Sequence, residues 1–238
     1  YKGATVFNST ISNNTAGFVG GLFVRGNQST DTVSLNNSTI SGNVAVAAQG
    51  RIGGIEIVGL PTSIQYSTIA FNSAVQGKVA KSGGGFYYEA PGLALVSDSS
   101  GGFTAFVQSS LFSNNLYGVP NYTEADFSVA PSGANTITIS ASRNLIRASS
   151  GPTIPATISV QCPLLGPLRD NGGATKTHAL LSHSPAIDGA GTTTNPQSDQ
   201  RGPPYLRVSG AAADVGAYEV QKADVIFNSN LEGCPPLS

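Results

Sequence analysis

The sequence predicts an all-β fold, a solenoid of stacked parallel coils, and three observations carry that reading. One pattern occurs four times, as Val6-x-x-Ser9-Thr10-Ile11-x-x-Asn14, Leu35-x-x-Ser38-Thr39-Ile40-x-x-Asn43, Ile64-x-x-Ser67-Thr68-Ile69-x-x-Asn72 and Phe106-x-x-Ser109-Ser110-Leu111-x-x-Asn114. The glycine pairs Gly20-Gly21, Gly53-Gly54 and Gly84-Gly85 each precede an apolar or aromatic segment, Leu22-Phe23-Val24, Ile55-Glu56-Ile57 and Phe86-Tyr87-Tyr88. The chain holds 29 Gly, no Trp and only 11% charged residues, a composition suited to short strands and many turns.

Spacing decides the kind of β fold. The pattern serines fall at 9, 38, 67 and 109, intervals of 29, 29 and 42, far longer than the 8 to 12 of sandwich strands. In a parallel stack each coil lies about 4.8 Å above the last, so equivalent residues form ladders. Ile11, Ile40, Ile69 and Leu111 are then the inward core positions. Asn14, Asn43, Asn72 and Asn114 form an asparagine ladder, since Asn tolerates left-handed bends and its amide can bond the next Asn along the stack. Glycine pairs suit a tight turn ahead of the following strand. The Ala-, Gln- and Gly-rich stretches Val44 to Ile52 and Val75 to Ser82 read as loops of variable length. Within 120–160, Phe127, Val129, Ile137, Ile139, Leu145 and Ile146 predict one or two further coils, for about five in all.

Charge and hydropathy exclude some functions. A net charge of −1, with no basic stripe, argues against nucleic acid as a partner. No apolar run has the length of a membrane-spanning helix. No signal peptide is recognisable, the chain has no Met, and it starts at Tyr1 directly before a repeat, so a processed chain or a piece of a longer one is expected. An uncapped first coil would need cover from upstream coils, a local plug or a subunit stacked end to end, which makes self-association into filaments an expectation. Cys162 and Cys234 either pair or stay as two thiols. Paired, they would close a loop of about 70 residues and add roughly 3 to 4 kcal/mol. No Cys/His metal spacing occurs, and no cofactor is expected.

Candidate chemistry in the repeats is sparse. A lyase on such a scaffold needs a cation or Arg to neutralise a carboxylate and a base to remove a proton; a hydrolase needs two carboxylates about 5 to 9.5 Å apart. Glu56 and Glu89, following successive glycine pairs, are the best catalytic pair available, and solvated strand charges are the alternative. Among Phe86, Tyr87, Tyr88, Tyr117, Tyr122 and Phe127, some should be core, with Tyr87 and one or two others beside the insertion 89–104 offering surface for stacking sugar or contacting protein, core being the preferred reading. The Asn-x-Ser/Thr sequons, such as Asn8-Ser9-Thr10, read as by-products of the repeat.

The second half differs chemically, holding 16 of the 25 charged residues in 121–238. Asp170, Asp188, Asp199, Arg201, Asp214 and Glu219 stand among Gly and Pro turns, where carboxylates commonly accept backbone N–H bonds. They predict a buried polar network, with Asp199 and Arg201 as a pair, in preference to a Ca²⁺ site or a catalytic centre. His178 is read as an anchoring residue and His183 as a surface one.

The continuous stretch from about 162 to 219 carries, in order, Leu168-Arg169-Asp170-Asn171-Gly172-Gly173-Ala174-Thr175-Lys176-Thr177-His178-Ala179-Leu180-Leu181, Ser184-Pro185-Ala186-Ile187-Asp188, Asp199-Gln200-Arg201-Gly202 and Asp214-Val215-Gly216-Ala217-Tyr218-Glu219. With the upstream Asn-Ser-Thr-Ile coils, this resembles bacterial secreted and surface parallel β-helix proteins that end in a choice-of-anchor Q domain. The resemblance implies a right-handed parallel β-helix, exported and followed by a sorting tail. Asp224-Val225-Ile226-Phe227-Asn228-Ser229-Asn230-Leu231-Glu232 is similar to short sorting tails of some secreted proteins, with Asn230-Leu231 in place of the usual Gly-Phe.

The expectation is therefore a secreted or cell-surface right-handed parallel β-helix. Coils occupy 1–150 and a less regular C-terminal capping region 151–238, with a structural or adhesive role. A polysaccharide-degrading enzyme or a carbohydrate-binding module is the alternative.

Overall fold

The computed structural model describes residues 3–26, 31–47, 51–75, 91–97, 101–118, 122–131, 135–150, 154, 157–192, 195–222, 224 and 234. It is all-β, with 48% strand and no helix among the described residues. The tiers contribute four strands each, except the fourth, which contributes five. The first tier comprises β1 (Gly3–Phe7), β2 (Thr10–Ser12), β3 (Thr15–Ala16) and β4 (Leu22–Arg25). The second comprises β5 (Thr32–Asn36), β6 (Thr39–Ser41), β7 (Val44–Ala45) and β8 (Ile55–Val58), the third β9 (Thr62–Gln65), β10 (Thr68–Ala70), β11 (Ser73–Ala74) and β12 (Leu93–Val96). The fourth runs through β13 (Phe103–Gln108), β14 (Leu111–Ser113), β15 (Leu116–Tyr117), β16 (Thr123–Glu124) and β17 (Phe127–Ala130). Then come β18 (Ile137–Ser142), β19 (Asn144–Ile146), β20 (Ser149–Ser150) and β21 (Thr157–Ser159), and last the hairpin β22 (Leu165–Arg169) and β23 (Thr177–Leu180).

Like strands of successive tiers pair in parallel to build four sheets. Sheet A is β1-β5-β9-β13-β18, sheet B β2-β6-β10-β14-β19-β21, sheet C β3-β7-β11-β15 with β16 added antiparallel, and sheet D β4-β8-β12-β17-β20. Side chains alternate across each strand, so every second column of a sheet faces inward. Val6, Leu35, Ile64, Val107 and Ala141 are one such row in sheet A, and Ile11, Ile40 and Ile69 are joined in sheet B by Phe112 and Ile146. These rows meet Ile55, Leu93 and Phe127 of sheet D in one core.

The fourth copy of the pattern sits one residue later than the sequence suggested. Phe112, not Leu111, follows Ile69, and Asn115, not Asn114, follows Asn72. The Ser row likewise continues through Ser110, whose Oγ accepts the N–H of Ser67 at 3.2 Å. Tandem Ser109-Ser110 and Asn114-Asn115 make both alignments look alike, but a one-residue slip turns every side chain to the opposite face. Leu111 accordingly points away from the central core into a second cluster, and Phe106 stands on the outer surface.

The left-handed residue also differs from expectation. It is not the ladder Asn but the residue before it, Asn13 (φ 57°), Gly42 (φ 68°), Phe71 (φ 58°) and Asn114 (φ 58°). Each of these turns the chain from sheet B into sheet C and leaves the next residue, the ladder Asn, pointing along the stack. The glycine row is fixed by close stacking: a Cβ on Gly21 would lie 2.5 Å from the Gly54 carbonyl oxygen, and one on Gly54 2.3 Å from that of Gly92. Gly92 thus takes the third position, and Gly84-Gly85 with Phe86-Tyr87-Tyr88 lie outside the described residues.

The C-terminal region does not cap an end of the stack. It lies lengthwise along the outer face of sheet B, where Leu165, Leu180, Ala186, Ala213, Val215 and Tyr218 pack on Tyr66, Ala70, Leu111 and Leu145. Sheet B strands β6, β10 and β14 are in consequence buried on both faces.

Candidate functional site

The ladder through the turn between sheets B and C is built from the same two bonds in every tier. Asn14 donates its side-chain amide to Oδ1 of Asn43 at 2.9 Å, Asn43 to Asn72 at 2.9 Å, and Asn72 to Asn115 at 2.8 Å, and each Asn also donates its backbone N–H to the same oxygen. The second amide hydrogen of Asn43 and of Asn72 goes to the carbonyl of Ile11 and of Ile40. The chain of bonds has one direction, and it ends on Asp126, an acceptor with no amide to pass on. Oδ1 of Asp126 accepts both donors of Asn115, and Oδ2 accepts the Ala148 N–H at 2.9 Å. Burial pushes this carboxyl up to about 8, and neighbouring Glu124 adds to the rise, while the three bonds pull it back. Glu124 in turn pairs with Arg147 at 2.9 Å and accepts the Asn114 N–H. No sequence pattern singled out Asp126.

The C-terminal region, a strap laid along the stack, joins it through a row of hydroxyls on the outer face of sheet B. Gln200 donates to Thr10 Oγ1 at 2.8 Å and accepts from Thr39, and the Ala217 N–H donates to Thr68 Oγ1 at 3.0 Å. Gly216, at φ 103°, approaches so closely that a Cβ there would lie 2.7 Å from Thr68 Oγ1. His178 on β23 donates from Nδ1 to the Gly166 carbonyl at 2.7 Å, so its Nε2 accepts from Ser41 at 2.8 Å. Burial lowers its pKa to about 4, only partly opposed by the Gly166 bond, and keeps the ring neutral. This histidine is thus a strand residue tying strap to stack. His183 is exposed, as read.

Of the polar network predicted at the C-terminal turns, Asp199, Arg201, Asp214 and Glu219 come together in buried positions, whereas Asp170 and Asp188 are exposed. Arg201 bonds Asp199 through two nitrogens, with Nη2 to Oδ2 at 2.7 Å, and donates to the Glu219 carbonyl. Its guanidinium lies between the rings of Tyr205 and Tyr218, 3.9 Å from each centroid. Asp199 Oδ2 accepts the Glu219 N–H, Glu219 accepts from the Ser209 and Asp214 N–H groups, and Asp214 accepts from those of Asp188 and Val220. Asp188 accepts from Ala212. Burial raises Glu219 to about 8, with Asp214 adding to the rise, and raises Asp214 to about 6. Every side-chain oxygen of Asp214 and Glu219 faces a backbone N–H, so these carboxyl groups organise turns. Asp170 stands apart as an exposed cap on the Gly172 N–H. Among the described residues no group of three or more His, Cys, Asp or Glu side chains is arranged to hold a metal.

Arg207 is the residue the sequence reading missed here. Wholly buried, it donates to the carbonyls of Gly216 and Ala217 and to Oδ1 of Asn37 on the stack, and it lies over the Tyr66 ring. No repeat or motif marks it.

Glu56 is neither a solvated strand charge nor a member of a demonstrated pair. It lies buried on β8, in register with Phe23 and Ala94, and burial raises its pKa against the lowering fields of Arg51 and Arg25. Glu89, its expected partner, lies outside the described residues, as do Tyr87 and residues 225–233 of the tail. Phe127 is core and Tyr122 exposed. Cys162 and Cys234 are paired, with Cα atoms 5.8 Å apart.

Comparison with protein-family models, with curated proteins and with solved structures finds no match.

Proposed function

We propose that this protein is a secreted or cell-surface scaffold, a right-handed parallel β-helix of about five coils with a structural and adhesive role. We further propose that it is akin to the exported proteins that end in a choice-of-anchor Q domain. The observation that carries this reading is the strap. Segments around Lys176, Gly189, Gln200 and Gly216 bond to Thr10, Arg143, Thr39 and Ser109, so one covalent segment spans the stack from its first tier to its last. A solenoid contacts only its nearest neighbours and opens from its ends, and a segment bonded to every tier resists that opening. This is the property a load-bearing rod at a cell surface requires. The Cys162–Cys234 bond, which closes the C-terminal region on itself, supports an oxidising compartment.

In this reading, end-to-end association uses the first tier, whose strands β1 to β4 stand at the margins of all four sheets. Asn14 Oδ1 there is the acceptor with which a further Asn-bearing coil would extend the ladder, as Asn43 does for Asn14. The test is immunogold labelling and protease shaving of intact producing cells. Label outside the envelope that shaving removes is the expected result, and label confined to the cytoplasm overturns the reading.

A further inference from the structure

The outer face of sheet A is unlike the rest of the stack. It presents two adjacent columns in register: Thr5, Ser34, Ser63, Phe106 and Ser140, and beside it Phe7, Asn36, Gln65, Gln108 and Ser142. Neither column contains a charged residue. Around Phe106 the face sinks into an open depression of about 330 Å³ lined by Ser63, Gln65, Phe106, Gln108, Ser140 and Ser142. Phe106 is 54% exposed in the middle of this polar lining. Its place follows from the register of the fourth tier, where Val107 takes the inward position opposite Ile64 and turns Phe106 outward. Folding alone does not require an aromatic ring in water there, because the neighbouring tiers use Ser at the same position.

We propose that this face binds a neutral polysaccharide chain lying along the stack axis, and that Phe106 is its stacking platform. The proposal rests on the adhesive reading given above and names what is adhered to. The chemistry of the lining selects the ligand. Each Gln offers two N–H donors and a carbonyl acceptor, and each Ser a hydroxyl that does both, which matches sugar hydroxyls that also donate and accept. A polymer carrying carboxylates or phosphates would leave its charges facing these columns without Lys or Arg. An apolar peptide would leave the amides and hydroxyls unpaired on burial. A sugar ring satisfies both requirements, with its C–H face on Phe106 and its hydroxyls on Gln65, Gln108 and the serines. The geometry favours a polymer over a small sugar, because equivalent polar groups recur about every 4.8 Å from tier to tier. Phe7 stands in the adjacent column three tiers from Phe106, about 14 Å along the stack, as a second apolar contact for the same chain.

The test is native affinity electrophoresis of the whole chain through gels containing hydroxyethyl cellulose, galactomannan, laminarin or dextran, with polygalacturonate as the anionic comparison. Retardation by at least one neutral polymer is expected, and it should be unchanged by 0.5 M salt, where a Debye length of about 4 Å screens any attraction between exposed charges. Phe106→Ala should weaken it at least 10-fold, and Gln65→Ala with Gln108→Ala should act in the same direction. Because these side chains are surface groups, an unchanged urea midpoint separates lost binding from lost fold. Retardation by none of the neutral polymers, retardation by polygalacturonate alone, or retardation that both variants keep overturns the proposal. An extracellular protein that binds none of these polymers removes this inference and leaves the scaffold reading intact, whereas cytoplasmic label removes the scaffold reading whatever the gels show.

Discussion

The side-chain amide of Asn115 donates to Oδ1 of Asp126 at 2.7 Å, and the same oxygen accepts the Asn115 backbone N–H at 3.1 Å. Every earlier rung ends on an amide oxygen whose own nitrogen passes the pattern on, and here a carboxyl group stops it. Asp126→Asn keeps an acceptor for Asn115 but turns an NH₂ toward the Ala148 N–H. We expect a loss of about 1 to 3 kcal/mol, and more for Asp126→Ala, which takes the acceptor from the backbone N–H groups of Asn115 and Ala148 and from one hydrogen of the Asn115 amide. Urea unfolding also tests the register. Asn115→Ala should cost about 2 kcal/mol or more, whereas Asn114→Gly, at the left-handed position, should cost well under that. Equal costs would refute the one-residue shift.

Stability should fall as pH rises from about 6.5 to 8. Asp126 and Glu219 have pKa values raised to about 8, and Asp214 one raised to about 6, all by burial first. For an acid held above its unfolded value, the folded state binds the proton more tightly, so its stabilising contribution is full at acid pH and is lost as pH rises through the folded value. His178 works in the opposite sense. Its pKa is lowered to about 4, so its contribution is full above about 6.5 and is lost as pH falls toward 4. Above 6.5 the raised carboxyls lose their protons, and the urea midpoint should drop. Below it the two effects oppose, and His178→Gln should shift the balance further toward acid. A midpoint that climbs from pH 6.5 to 8 would contradict these assignments.

Stacked parallel strands and the first three rungs were legible in the sequence, because Asn14, Asn43 and Asn72 recur with inward isoleucines at a constant interval of 29. The fourth rung was not. Doubled Ser109-Ser110 and Asn114-Asn115 leave two registers open, and inward packing of Phe112 chooses between them. The Asp199–Arg201 pair could be read from a motif, since two residues apart in one turn suffice for their contact. Asp126 and Arg207 could not. One reaches back across the antiparallel β15–β16 pair to Asn115, the other across 170 residues to Asn37, and neither partner lies at a spacing that local chemistry announces. The outward Phe106 was missed for the same reason as the fourth rung, since the wrong register assigns it to the core.

Reduction of Cys162–Cys234 should lower the stability of the folded chain. The residues are 72 apart, and closing a loop of that length restricts the unfolded chain by about 4 kcal/mol in the chain-entropy account. A reducing agent should therefore lower the urea midpoint, and the Cys162→Ser, Cys234→Ser double variant should lower it by the same amount with or without the agent. An oxidised and a reduced chain of equal midpoint would show that the bond constrains nothing.

Arg207 tests whether strap and stack form one unit. Its guanidinium joins the carbonyls of Gly216 and Ala217 on the strap to Asn37 Oδ1 on the second tier, entirely out of water. Arg207→Met keeps much of the volume and removes the charge, but it strands three acceptors, so a loss of about 3 kcal/mol is expected. Hydrogen exchange locates that loss. The Ala217 N–H, bonded to Thr68, and the Gly216 N–H, bonded to the Ser109 carbonyl, should exchange faster, while the Asn72 N–H, held inside the ladder, should keep its protection. Loosening confined to the strap would make it a separable brace on a self-sufficient stack. Equal loss of protection at Asn72 would mean that the tiers stand only while the strap is closed.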